Sequence, residues 1–142
     1  MQTIVNKENK NMSKQVFVAP DHEKLQYMGR IDFSKDGGPE FVFPCTFVKI
    51  KFKGTFISVA LTNTKNCWDN FMGVILDGVQ TKFKLADWGK QDYVLGENLE
   101  DTEHELMLFK RQDSCHTVQF HGFTLNEDGL TSCQTGKWLI RA

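Results

Sequence analysis

Residues 46–63, TFVKIKFKGTFISVALTN, decide the fold. Val48, Ile50 and Phe52 alternate with Lys49, Lys51 and Lys53. Ile57, Val59 and Leu61 then alternate with Ser58, Ala60 and Thr62. A period of two puts one set on a buried face and the other towards water, which makes two half-buried strands and excludes a helix. Gly54, between the two runs, reads as a tight hairpin.

The same rhythm runs outward in both directions. MGVILDG (72–78) is an apolar strand stopped by the turn dipeptide Asp77-Gly78. VQTKFKLAD (79–87) returns with Thr81, Phe83 and Leu85 inward and Lys82 and Lys84 outward, so residues 77–78 form a hairpin loop. HELMLFK (104–110) and HTVQFHGFTL (116–125) read as a further strand pair joined by a short polar turn. Leu106 and Leu108 share one face of the first strand, and Val118 and Phe120 share one face of the second. KWLIRA (137–142) reads as a last short strand. No window of about 11 residues carries a helical period. Short strands broken by frequent turns predict an all-β antiparallel sandwich, and their number predicts a jelly roll. Residues 1–14 are polar and read as a disordered lead-in, leaving 15–142 as one domain.

Composition excludes several functions. The net charge is −1 with both signs spread along the chain, so no basic face awaits nucleic acid or an anionic membrane. No apolar run reaches the length of a membrane-spanning helix. The first residues lack the apolar core of a signal peptide, so the expected location is the cytoplasm. Twelve phenylalanines accompany only two tyrosines, and most of these rings are expected inside. Cys45, Cys67, Cys115 and Cys133 show no close pairing of the zinc or C-x-x-C type, so reduced and mostly buried thiols are expected. No cofactor motif is present.

The residues with chemical potential are few. Ser34, Ser58, Ser114 and Ser132 stand in turns or on strand faces, not in a nucleophile motif. His104, His116 and His121 lie on strands that adjacency brings close, but packed or surface imidazoles explain them more simply than a metal. LNEDG (125–129) and GENLEDTE (96–103) hold oxygen ligands of the calcium type and read more simply as solvated loops. Trp68 stands in the polar run NTKNCWDNF (63–71), and Trp88 and Tyr93 near the turn of LADWGKQDY (85–93). Such rings cap a sandwich end, meet a neighbouring domain, or stack on the apolar face of a sugar; the sequence leaves all three open.

Five landmarks follow one another in order: YMGRIDF (27–33), FVFPCTFVKIKFKGTFISVALTN (41–63), VILDG (74–78), LGENLEDTEHELMLFKRQD (95–113) and FHGFTL (120–125). Together they resemble the N-terminal jelly-roll domain of carbohydrate esterase family 2, whose enzymes continue into an SGNH (GDSL-type) catalytic domain. The resemblance implies a parent acetyl-esterase acting on xylan or related plant polysaccharide, and a catalytic domain in cis as partner. It gives this chain no catalytic residue, because the family's G-D-S nucleophile strand is not among residues 1–142. Arg30, Asp32, Asp77, Lys110 and Arg111 fall within the matching motifs. Structural pinning or contact with the next domain accounts for them more simply than a substrate carboxylate. A stand-alone carbohydrate-binding module and a protein-interaction sandwich are the alternatives.

Overall fold

The computed structural model describes residues 15–64, 66, 68–112, 116–126 and 129–131. Their regular structure is all strand: β1 (Val16–Val18), β2 (Gln26–Met28), β3 (Ile31–Asp32), β4 (Glu40–Phe41), β5 (Phe47–Gly54), β6 (Ile57–Thr64), β7 (Phe71–Leu76), β8 (Val79–Lys84), β9 (Trp88–Gly96), β10 (Thr102–Lys110), β11 (Thr117–Leu125) and β12 (Leu130–Thr131). One sheet runs β3-β4-β11-β6-β9, with β1 also on β11. The other runs β12-β5-β10-β7-β8, with β2 also on β5. All pairs are antiparallel, and the two sheets form a jelly-roll sandwich.

The alternation predicts the buried faces correctly. Val48, Ile50, Phe52, Ile57, Val59, Leu61, Leu106, Leu108, Val118 and Phe120 all lie in the core. It mispredicts two pairings. β5 and β6 do not form a hairpin across Gly54, because β5 pairs with β10 and β6 pairs with β11 and β9. β10 and β11 likewise lie in opposite sheets. Two strands that bury the same parity of residues look identical in sequence whether they lie side by side or face each other across the core. The β5–β6 arch is held instead by Asn126, whose Oδ1 accepts from Thr55 N (3.1 Å) and whose Nδ2 donates to Thr55 Oγ1 (2.7 Å).

The Asp77-Gly78 hairpin is as expected: Leu76 pairs with Val79, and both turn residues have positive φ (51° and 86°), the signature of a two-residue primed turn. On the returning β8, Leu85 is buried and Phe83 half-buried, but Thr81 is exposed. β8 is an edge strand, paired on one side only, by β7.

The phenylalanines are a second correction. Phe41, Phe52, Phe120 and Phe123 are buried, Phe17, Phe33 and Phe43 are exposed, and the other five are half-buried. Several rings lie on the outer face of the second sheet. Phe109 covers Gly73, its cross-strand partner, so closely that a Cβ at Gly73 would stand 2.2 Å from the ring. Beside them Lys49, Lys51 and Lys53 pair with Glu105 (3.3 Å), Glu103 (3.6 Å) and Asp101 (3.4 Å). These pairs are open to water, so each contributes at most about 1 kcal/mol, and they serve mainly to keep this face soluble. The strand expected over 137–142 lies outside the described residues, as does the tail.

Candidate functional site

Lys110 is fully buried. Its Nζ donates to the carbonyls of Val42 (2.7 Å) and His116 (2.6 Å). Its backbone N–H donates to Thr46 O (2.9 Å), and its carbonyl accepts from Cys45 N (2.8 Å). One residue therefore fastens the 42–46 turn to the start of β11. A buried ammonium is tolerated only when its donors are occupied, as here. Arg111, its neighbour, is exposed. Arg30 is also exposed, with its guanidinium 5.3 Å from the centre of the Phe43 ring, and its carbonyl accepts from Val42 N (3.2 Å). The two arginines thus flank the same turn. Asp32 caps its own turn, its Oδ1 accepting from Ser34 N (2.9 Å) and Ser34 Oγ (2.5 Å). These bonds hold its carboxyl below the ordinary value.

Asp77 closes the opposite end. Its Oδ2 meets His104 Nδ1 at 2.6 Å and its Oδ1 accepts from Glu105 N at 2.9 Å. His104 is buried, and its Nε2 meets the Glu100 carbonyl at 2.8 Å. Both ring nitrogens face acceptors, an arrangement that only the imidazolium satisfies. Burial alone would lower the imidazole pKa, but the hydrogen bonds to Asp77 and Glu100 outweigh it and raise it above the ordinary value. For Asp77, desolvation opposes but does not overcome the bonds from Glu105 N–H and His104, and its pKa is lowered. A raised histidine pKa contributes stability that is complete below the unfolded value of about 6.5 and is lost as pH rises through the folded value. The urea midpoint is therefore expected to fall as pH rises above that point, and His104→Gln to flatten this limb. An unchanged limb in the variant would remove His104 as its cause.

Trp68 and Trp88 are 53% and 65% exposed. They come to the same end of the sandwich: Trp88 pairs with Thr64 at the end of β6, and Trp68 sits in the segment that follows. Two buried asparagines that the sequence reading passed over hold both segments. Asn70 Nδ2 donates to Asn63 Oδ1 (2.9 Å), and Asn63 Nδ2 donates to Ala86 O (2.8 Å). Their only signal was polarity at positions where β6 should end and β7 begin. Tyr93 sits below, half-buried, with its ring 5.3 Å from Phe83 and its hydroxyl accepting from Ala86 N (2.8 Å). It props the Trp88 turn. The Trp68 ring meets that of buried His116 edge-on at 5.8 Å. His121 bridges Thr62 Oγ1 (2.6 Å) and Gly37 O (2.8 Å).

The three histidines are thus separated in space and engaged with different neighbours. Among the described residues no three of His, Cys, Asp and Glu converge as metal ligands. Glu127 and Asp128 of the calcium-type loop lie outside them, as do Cys67, Cys115 and Cys133. Cys45 is exposed rather than buried, because it occupies a left-handed turn position (φ 67°). One feature missed from sequence is a groove of about 710 Å³ between the 20–25 and 33–39 turns, over Tyr27 and Ile31. Its signal was Phe33 standing alone in the polar run DFSKDGG (32–38).

No curated protein sequence matches the chain. Solved structures do. A family two carbohydrate esterase from Clostridium thermocellum, in complex with cellohexaose, is 29% identical with a TM-score of 0.69, over 78% of this chain and 34% of that one. The family two esterase from Cellvibrio japonicus gives 19% and 0.77, over 86% and 36%. The CBM36-1 domain of a xylanase from the hindgut metagenome of Trinervitermes trinervoides shares the fold alone, at 11% and 0.62, over 86% of this chain and 100% of that domain. The chain therefore spans about a third of each esterase. The family "Carbohydrate esterase 2 N-terminal" matches residues 27–132, across β2 to β12, and to that family this chain belongs.

Proposed function

We propose that this chain is the non-catalytic β-sandwich of an SGNH-type carbohydrate acetyl-esterase, supporting or orienting a catalytic domain in cis. The parent reaction is the removal of acetyl groups from xylan or a related polysaccharide. Family membership over residues 27–132 carries the reading. The side chains agree with it: His104 and Lys110 are engaged in holding turns. The exposed trio Arg30, Phe43 and Arg111, beside a turn fixed by Lys110, is the proposed contact for the catalytic domain.

A second reading, a glycan-binding module, is favoured by the exposure of Trp68 and Trp88 at one end. The cellohexaose bound by the Clostridium thermocellum relative lends it support. Titration with acetylated xylo-oligosaccharides and cello-oligosaccharides, followed by tryptophan fluorescence, separates the two. The first reading expects no saturable shift that depends on Trp68 or Trp88. A saturable shift abolished by Trp68→Ala or Trp88→Ala would establish the second.

A further inference from the structure

The groove over Tyr27 lies on the side of the sandwich where the chain crosses from β2 in one sheet to β3 in the other. Leu25, Ile31 and Pro39 are buried beneath it. Phe33 is 54% exposed at its wall, its ring 5.2 Å from that of Tyr27 and at 87° to it. The two rings make a right-angled aromatic corner. The Tyr27 hydroxyl is already committed, donating to Pro20 O at 2.5 Å. Burial, with the Asp21 carboxylate, pushes its ionisation upward, so Tyr27 is a neutral wall rather than an acid or base.

The rim carries both kinds of hydrogen-bonding group. Asp21 and Glu23 accept, and Lys35 donates. His22 Nδ1 accepts from Lys24 N (3.1 Å), which leaves Nε2–H as the donor of the neutral ring. We propose that this groove binds a short stretch of neutral oligosaccharide, with Phe33 as the stacking platform and Asp21, His22, Glu23 and Lys35 engaging its hydroxyls.

Three observations select that ligand class. A pyranose has an apolar C–H face and a hydroxyl edge, which match an aromatic plane beside a polar rim. Each hydroxyl both donates and accepts, so it uses a rim of mixed sign. An anion would meet two carboxylates, and a cation would meet Lys35. A peptide added to a sheet needs a free strand edge, whereas the 20–25 and 33–39 walls are turns. The volume of about 710 Å³ falls within the usual range of small-ligand sites, about 300–1,000 Å³. The site is separate from Trp68 and Trp88 and does not depend on their binding sugar.

The test is titration of the full 142-residue chain with cellohexaose and with xylohexaose, read by calorimetry and by backbone amide NMR shifts. Saturable shifts are expected among residues 20–39 with at least one of the two sugars. Phe33→Ala should weaken binding by about tenfold or more, as loss of a central aromatic contact does. Trp68→Ala and Trp88→Ala should leave it unchanged. Glu23→Gln and Lys35→Ala, both at exposed positions, should each weaken it with the NMR spectrum of the fold intact. Absence of shifts in 20–39 at millimolar sugar would overturn the proposal, as would wild-type affinity in Phe33→Ala. Shifts confined to the Trp68 and Trp88 segments would overturn it too and would support the tryptophan reading instead.

Discussion

Lys110→Met lowers the free energy of unfolding by about 3 kcal/mol in this account, read as a lower urea midpoint at unchanged slope. Methionine keeps most of the aliphatic stem but removes the ammonium. The carbonyls of half-buried Val42 and buried His116 then lose their 2.7 and 2.6 Å donor inside the protein. Each buried carbonyl left without a donor costs about 1–3 kcal/mol. Arg111→Met is the control. It changes the adjacent residue of the same sequence motif at an exposed position, where surface substitutions stay within about 0.5 kcal/mol. Equal effects from the two variants would show that Lys110 is no clamp.

Phe120→Ala is expected to cost about 3–5 kcal/mol, the usual range for removing a large buried aromatic. Its ring has no exposed surface and lies 5.0 Å from Phe123, 6.0 Å from Phe41 and 6.2 Å from Tyr27. Phe41 and Phe123 are themselves buried, and the backbone beside Phe120 is fixed, because Phe120 N donates to Pro39 O (2.9 Å). The cavity therefore cannot close by local collapse. Phe43→Ala, at a ring 44% exposed, should cost far less. Urea unfolding of both variants checks the contrast.

Strand periodicity carried the core faces and the Asp77-Gly78 hairpin, because both are local properties. The partners of β5, β6, β10 and β11 were not local: the arch at Gly54 and the crossing after Lys110 look like hairpins until the other sheet is in place. The phenylalanines misled for a similar reason. A ring on an outer face is half-buried by its neighbours on that sheet, as Phe109 is over Gly73, and composition cannot show that. Lys110 and Arg111 were singled out as a pair from the family motif, yet one is buried and the other exposed. Period-two alternation made the distinction available, since Lys110 shares its parity with Leu106 and Leu108. The groove was the least legible feature: its walls belong to one continuous stretch, residues 20–39, but the chain crosses from one sheet to the other within it, and periodicity does not show that crossing.

The measurement that tests the central claim most directly is acetate release from acetylated xylan by the purified 142-residue chain, with and without a serine-directed inhibitor. A non-catalytic sandwich releases acetate no faster than buffer does, while remaining folded by circular dichroism. Inhibitor-sensitive release above that background would contradict the account and place a nucleophile within this chain.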